Sequence, residues 1–166
     1  MSDLFDISFD WAVTVRHLLE LTVAYLFAIP IAWDRETKAR TAGLRTFPLV
    51  AVAACPYMII GFQILDSTDA EARVIQGLMT GMGFIGGGAI LKHGGTVRGT
   101  ATAASLWATG AIGLAVASHR FEIALLISLA TFFTLLFLKT IAASEDDDVS
   151  DDLAAVSFIY WRWWPR

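Results

Sequence analysis

The stretch from Val74 to Arg98 constrains this chain most, because its first 18 residues, Val74 to Leu91, carry no formal charge. A charge-free apolar segment of that length is typical of a membrane-spanning helix. It also contains six glycines, which weaken a helix in water but allow close contact between helices in lipid. We therefore predict a transmembrane helix at the centre of a bundle.

The small residues of two apolar segments predict helix-packing faces. At 100° per residue the glycines of the first segment fall on two nearly opposite faces. The segment that follows Gly99 carries small residues at i, i+4 spacing, which is a packing pattern in membranes. The predicted packing positions are Gly77, Gly81 and Gly88 on one face, Gly83, Gly86 and Gly87 on the other, and Ser105, Thr109 and Gly113 in the next helix.

A dinucleotide-binding pattern, G-x-G-x-x-G, occurs at Gly81 to Gly86. That motif needs a strand before it, a helix that begins at it and an acidic residue about 20 positions later. Here the glycines lie inside the apolar run, and no Asp or Glu occurs between Glu71 and Glu122. We therefore interpret the pattern as helix packing.

Composition extends the membrane interpretation to most of the chain. The sequence is 56% hydrophobic and 17% charged, whereas about 25% of a soluble domain is charged. Its apolar residues form long blocks between short charged clusters. We predict an all-α polytopic membrane protein, a bundle of five transmembrane helices over residues 11–141, with spans at about 11–33, 46–65, 74–91, 99–117 and 121–141.

The positive residues predict the orientation of the bundle. Lys and Arg concentrate in the first-to-second and third-to-fourth connections, and such loops lie in the cytoplasm. The acidic segment 1–10 is then a periplasmic N-terminus, and the acidic, Trp-rich tail 142–166 is cytoplasmic. The N-terminal segment does not resemble a cleavable signal peptide.

Glu20 is an ionisable residue predicted well inside a span, and such residues are functional candidates. Arg16 lies one helical turn before it, so local pairing is the alternative explanation. The three histidines, at positions 17, 93 and 119, are scattered along the sequence, and no grouping of nucleophile and base is visible. We therefore predict no enzyme activity.

Several linked motifs occur in order along the chain. They are Asp34-Arg35-Glu36, Ala42 to Thr46 (AGLRT), Gly81 to Leu91 (GMGFIGGGAIL), Gly95 to Gly99 (GTVRG), Thr102 to Trp107 (TAASLW) and Ala111 to Ala115 (AIGLA). Together they resemble the MgtC/SapB family of bacterial inner-membrane proteins, and the resemblance covers about residues 16 to 140. It departs from the family at Ala28 to Ala32, where a glycine-rich approach is usual, and many members carry a soluble C-terminal domain where this chain has the acidic tail.

The resemblance implies a five-helix hydrophobic domain and roles in adaptation to low magnesium, survival of pathogens within macrophages and restraint of the F-type ATP synthase. Within the family motifs we predict a functional charge cluster at the cytoplasmic helix ends, in which an acidic residue pairs with Arg45 or Arg98. Its members are Asp34, Arg35, Glu36, Arg45 and Arg98. The alternative is static salt bridges that obey the positive-inside rule.

We expect a non-enzymatic protein of the inner (cytoplasmic) membrane that modulates another membrane machine under low magnesium or acid stress. The rival hypothesis is an oligomeric transporter or channel for Mg²⁺ or another ion, with Glu20 and Asp34 along its path. We expect no cofactor, although Mg²⁺ remains open as a sensed or transported ion. The expected partners are the lipid bilayer, a membrane protein such as the ATP synthase and a second copy in a homodimer, with no role for nucleic acid.

Overall fold

The structure, a computed structural model, describes residues 10–38, 43–93 and 96–137, and only the backbone at 38, 91–93 and 96. The helices are α1 (Trp11–Lys38), α2 (Thr46–Ile64), α3 (Thr68–Gly88), α4 (Thr100–Ala117) and α5 (Phe121–Phe137), with strands β1 (Leu91–His93) and β2 (Thr96–Arg98) between α3 and α4. The prediction of an all-helical chain is confirmed apart from this short hairpin. The predicted tail 142–166, residues 138–141 of the fifth span and residues 1–9 lie outside the described residues.

The first helix is longer than predicted. It continues from Trp33 to Lys38, so Asp34, Arg35 and Glu36 lie on a helix, and the prediction that they belong to a loop is wrong. No proline or glycine follows Trp33 to end the helix, and Asp34 and Arg35 become buried on it. Tertiary burial therefore extends α1 beyond its apolar segment.

The core lies where α2 and α4 pack together, with α1 against both. Its largest fully buried side chains include Ile31, Phe47, Met58 and Ile112. Small residues allow the close contact: a Cβ added to Gly113 would lie 2.5 Å from the carbonyl oxygen of Ala51. Helices approach this closely only where one of them lacks a side chain.

The glycine-rich helix α3 lies at the side of the bundle. Of its described residues only Met82 and Gly86 are buried, so the prediction that this helix forms the centre is wrong. It also starts at Thr68, six residues before the predicted span, because Ser67 caps it by accepting a hydrogen bond from the backbone N–H of Ala70. The glycines permit close packing, but of those in α3 only Gly86 lies against another helix of the described chain.

The hairpin after α3 reverses the chain into α4. Its strands are antiparallel, with Leu91 opposite Arg98 and His93 opposite Thr96. Gly99 then starts α4 from a left-handed conformation, with φ of 87°, and a Cβ there would lie 2.0 Å from the carbonyl oxygen of Ala89. Both the backbone angle and the contact require glycine.

The fifth helix packs on α1 through small residues, which the sequence analysis did not predict for it. Ala124 and Ser128 are buried, and the Ser128 hydroxyl donates a hydrogen bond to the carbonyl oxygen of Phe27 at 2.6 Å. Residues up to 132 belong to one unit with the other helices. Of the second unit, 133–166, the structure describes Phe133–Phe137, in which the two Phe rings stack with centroids 5.9 Å apart.

Three described helices are long and apolar enough to cross a membrane: Trp11–Thr37, Thr46–Ile64 and Thr100–Ala117. The helix Phe121–Phe137 is apolar but shorter. Many large apolar side chains lie on the outside of the bundle, such as Trp11, Phe84 and Leu126 at 70, 86 and 64% exposure. Such a surface suits contact with lipid. The count of five spans and the orientation stay predictions.

Candidate functional site

At one end of the bundle, a buried ion pair lies near the C-terminus of α1. Asp34 and Arg35 are 5 and 7% exposed. Arg35 donates to one carboxylate oxygen of Asp34 through Nε, at 3.1 Å, and through Nη2. Buried charges need such partners, because removal from water is costly for each ion. The pair joins two consecutive residues, and both side chains lie within the bundle.

Glu36 connects the end of α1 to the start of α2. Its carboxylate accepts a hydrogen bond at 2.8 Å from the backbone N–H of Leu44, two residues before α2 begins. A carboxylate is stabilised there by free N–H groups and by the helix dipole. Gly43 packs against the same carboxylate, since a Cβ on Gly43 would lie 2.1 Å from Oε2. The two motifs of the first connection thus form one contact.

The two remaining members of the predicted cluster lie apart from this contact. Arg45 and Arg98 are exposed, and within the described ranges neither forms an ion pair with Asp34 or Glu36. The carboxylates have nearer partners, because the extension of α1 places Asp34 beside Arg35 and Glu36 beside Leu44. The predicted pairs are therefore replaced by contacts that are local to α1 and the start of α2.

At the other end of the bundle, Glu20 lies between two histidines. Glu20 is 5% exposed, and its two oxygens lie 3.0 Å from Nδ1 of His17 and 3.6 Å from Nδ1 of His119. Gln63, at the end of α2, contacts Nε2 of His17 at 3.2 Å. A cavity of about 180 Å³ opens beside these groups, and Arg16 lies on its wall. Four polar side chains from α1, α2 and the α4–α5 turn therefore meet here.

Sequence reasoning missed this grouping. Arg16 was the expected partner of Glu20, but among the described contacts the partners are His17 and His119. A signal was present, because alternating helix directions bring the first turns of α1, the end of α2 and the α4–α5 turn to one end of the bundle. His17 also lies three residues from Glu20, on the same helix face. His17 and His119 are far apart in sequence but lie on either side of Glu20 in space.

The predicted packing glycines of α3 divide into one that packs and five that do not. Gly86 lies against α4, where an added Cβ would be 3.3 Å from the carbonyl oxygen of Ala103. The others have open space around an added Cβ, with no described atom within 4 Å: Gly77, Gly81, Gly83, Gly87 and Gly88. On α4, by contrast, Ser105, Thr109 and Gly113 are all buried.

An apolar groove of about 620 Å³ lies between α2 and α3. Gly77 and Gly81 form part of its wall, together with Tyr57, Val74 and Phe84. The groove includes one of the two glycine faces of α3. The nucleotide-binding interpretation of Gly81 to Gly86 finds no support, because these residues lie within one continuous helix without a preceding strand.

The sequence leaves Mg²⁺ open as a sensed or transported ion. Among the residues that the structure describes, no group of three or more His, Cys, Asp or Glu side chains is arranged to hold a metal ion. Carboxylate oxygens suit Mg²⁺, but Asp34 and Glu36 already accept hydrogen bonds from Arg35 and Leu44. The predicted acidic tail is outside the described residues.

Apolar helices, an apolar outer surface and ionisable groups gathered near two ends define a helical membrane protein. The model of the MgtC family matches residues 21–144, so the chain belongs to the MgtC family. This confirms the family resemblance of the motifs from Asp34 to Ala115.

The chain is similar to several curated proteins. It is 36% identical to the Synechocystis protein slr0014 over 126 residues, 75% of this chain and 53% of that protein. It is 32% identical to MgtC of Salmonella typhimurium strain LT2 over 126 residues, 76% of this chain and 54% of that protein. It is also 32% identical to YhiD of Escherichia coli K12, named as a candidate magnesium transporter, over 130 residues, 74% of this chain and 60% of that protein.

The chain thus spans between about half and three fifths of the length of these relatives. Of these three names, that of YhiD refers to magnesium. No solved structure matches the chain.

Proposed function

We propose that this protein is a non-enzymatic component of the bacterial inner membrane that modulates another membrane protein during adaptation to low magnesium or acid stress. The observation that carries the proposal is the open glycine face of α3 beside the α2–α3 groove. A helix of the partner lies along Gly77 and Gly81 and contacts the apolar wall of the groove. Family resemblance makes the F-type ATP synthase the first partner to test.

The chemistry of the groove suits a helix from another membrane protein. Association of helices in lipid depends on close van der Waals contact, and small residues permit that contact. Gly77 and Gly81 are one turn apart, which is the spacing of a small-xxx-small face. The exposed rings of Tyr57 and Phe84 border the groove and supply contact area on either side. Modulation requires only that such binding changes the conformation of the partner.

The interior of the bundle argues against transport by one chain. Ile31, Phe47 and Met58 fill the core with apolar volume. The buried hydroxyls of Ser105 and Thr109 bond to carbonyl oxygens of their own helix, at 2.6 and 2.8 Å. In the described residues no chain of polar groups joins Glu20 to Asp34. An ion path therefore requires an oligomer.

The alternative function, an oligomeric Mg²⁺ transporter or channel, is favoured by the buried carboxylates of Glu20 and Asp34 and by the name of YhiD. Mg²⁺ flux into liposomes that contain the purified protein separates the two functions. If the protein is a modulator, the Mg²⁺ flux should not exceed the flux into protein-free liposomes. Saturable flux that is lost in Arg98→Ala identifies a transporter and overturns the proposal.

The modulator itself is tested by co-reconstitution with the F-type ATP synthase and measurement of ATP-driven proton pumping. We expect the wild-type protein to reduce pumping and Gly81→Leu to restore it, because the leucine fills the space that the partner helix needs. Leu126→Ala, at a lipid-facing position on α5, is the matched control and retains the effect. If the wild-type protein leaves pumping unchanged, the ATP synthase is not the partner. If Gly81→Leu still reduces pumping, the groove is not the binding site.

A further inference from the structure

His119 occupies an unusual backbone position for a histidine. Among the described residues it is the non-glycine residue with positive φ, at 56°. It follows the end of α4, where its N–H bonds to the carbonyl of Val116 and the N–H of Arg120 bonds to that of Ala115, both at 2.9 Å. These two bonds form a Schellman motif, in which the left-handed residue is usually glycine. A histidine there adopts a conformation that disfavours side chains, so its imidazole calls for an explanation.

The imidazole of His119 lies next to a buried carboxylate. Nδ1 is 3.6 Å from Oε1 of Glu20, and the His119 side chain is 62% exposed while that of Glu20 is 5% exposed. The C-terminal carbonyls of α4, which carry the negative end of the helix dipole, precede His119 directly. A protonated His119 would therefore have negative neighbours on two sides, and it remains in contact with solvent that can supply the proton.

The second histidine of the cluster already has both ring nitrogens occupied. Gln63 contacts Nε2 of His17 at 3.2 Å, and Nδ1 of His17 lies 3.0 Å from Glu20. Protonation of His17 would place two donors, its Nε2–H and the Gln63 amide, against each other until the amide turned over. The His119–Glu20 contact, at 3.6 Å, is longer than a hydrogen bond, so it depends on the charge of His119.

The other charged groups nearby do not neutralise Glu20 in the described part of the chain. Arg16 on α1 is exposed and forms no ion pair with Glu20. On α2, the buried thiol of Cys55 is within electrostatic range of Glu20 and carries no positive charge. At the start of α5, Arg120 is paired with Glu122 at 2.5 Å. A buried carboxylate without a cationic partner is costly, and a protonated His119 supplies that partner.

We propose that His119 and Glu20 form a proton-binding clasp that fastens the α4–α5 turn to α1. Imidazole ordinarily titrates near pH 6.5. A cationic imidazole pairs with the Glu20 carboxylate and a neutral one does not, so measurements on either side of that pH test the pair. By the predicted orientation the clasp lies at the periplasmic end of the bundle. It shares no lining residue with the α2–α3 groove, so its test does not depend on the proposed partner.

The test is thermal unfolding of the full chain in phosphatidylcholine nanodiscs at pH 5.5 and pH 8. His119→Gly is the principal variant, because glycine suits the left-handed position and should fold. At pH 8 we expect this variant to unfold at the same temperature as wild type or higher. At pH 5.5 we expect it to unfold about 2–4 °C below wild type, the shift typical of one lost interaction in a chain of this size. A loss of stability that is present at pH 5.5 and absent at pH 8 distinguishes the clasp from a structural role of the side chain.

Three further samples make the result decisive. His119→Asn, which tolerates the left-handed conformation but binds no proton in this range, should behave like His119→Gly. Wild type should exceed His119→Gly in unfolding temperature at pH 5.5 but not at pH 8. Glu20→Gln should show no such advantage over His119→Gly at pH 5.5. His93→Gln removes the histidine outside the cluster and should match wild type at both pH values. The proposal is overturned if His119→Gly and wild type differ by the same amount at both pH values. It is also overturned if Zn²⁺ stabilises wild type but not His119→Gly, since the site would then bind a metal ion.

Discussion

Gly113 on α4 lies against Ala51 on α2 so closely that a Cβ on Gly113 would come within 2.5 Å of the Ala51 carbonyl oxygen and 3.0 Å of the Cys55 backbone nitrogen. Both neighbouring atoms belong to the backbone of a long helix, so neither can move aside alone. Three residues earlier, a Cβ on Gly110 would meet the side chain of Met82 at 2.9 Å. Methionine is flexible and can adjust. The two glycines of α4 therefore have different tolerance for substitution.

Gly113→Ala should destabilise the bundle by about 1–3 kcal/mol, the usual cost of overpacking, because α2 and α4 must separate. Gly110→Ala should cost less, since Met82 can change rotamer. The unfolding temperature of the two variants in nanodiscs measures the difference. Equal loss in both variants would show that the α2–α4 contact is not the tightest in the bundle.

Gly43→Ala should weaken the link between α1 and α2, because the added methyl group would displace the Glu36 carboxylate from the backbone N–H of Leu44. We expect a loss of about 1–3 kcal/mol from overpacking. Glu36→Gln should cost less, since the amide oxygen still accepts that hydrogen bond. Gly77→Ala, with open space around the added atom, is the matched control and should leave the stability of the single chain unchanged or higher.

Asp34→Ala should strongly destabilise the protein, by about 3–5 kcal/mol, because it leaves the buried guanidinium of Arg35 without this partner. Arg35→Lys should also lose stability, since lysine cannot reproduce the contacts from Nε and Nη2. Arg45→Gln, at an exposed position, serves as the control and should change stability by less than about 0.5 kcal/mol. The amount of folded protein recovered from membranes, and its unfolding temperature, test all three.

Ser128→Ala should loosen α5 from α1, because the Ser128 hydroxyl donates to the carbonyl of Phe27 across the two helices. Interhelical hydrogen bonds in membranes contribute about 0.6 kcal/mol on average, so the unfolding temperature should fall slightly. Ser105→Ala removes a hydroxyl that bonds within its own helix to Ala101 and should cost less. A loss for Ser105→Ala as large as that for Ser128→Ala would indicate that packing, rather than the cross-helix bond, holds α5.

The sequence determined the helices and the family because both depend on local pattern. Charge-free length, apolar blocks between charged clusters and linked motifs identified the helical segments and the MgtC resemblance without knowledge of any long-range contact. The pattern was less informative about where helices end. Residues 34–36 extend α1 because Asp34 and Arg35 pair on it, and the backbone N–H of Leu44 bonds to the Glu36 carboxylate, although sequence alone assigns these residues to a loop.

Only the tertiary structure decided which faces are used. The glycines of α3 and the small residues of α4 both predict helix-packing faces from sequence. In the structure, Gly113 is packed against backbone while Gly81 faces open space. Small residues permit close approach but do not specify a partner, so the position of each helix settles the outcome. For the same reason His17, Glu20 and His119, separated by up to 102 positions in the chain, became one cluster only when antiparallel helices brought their ends together.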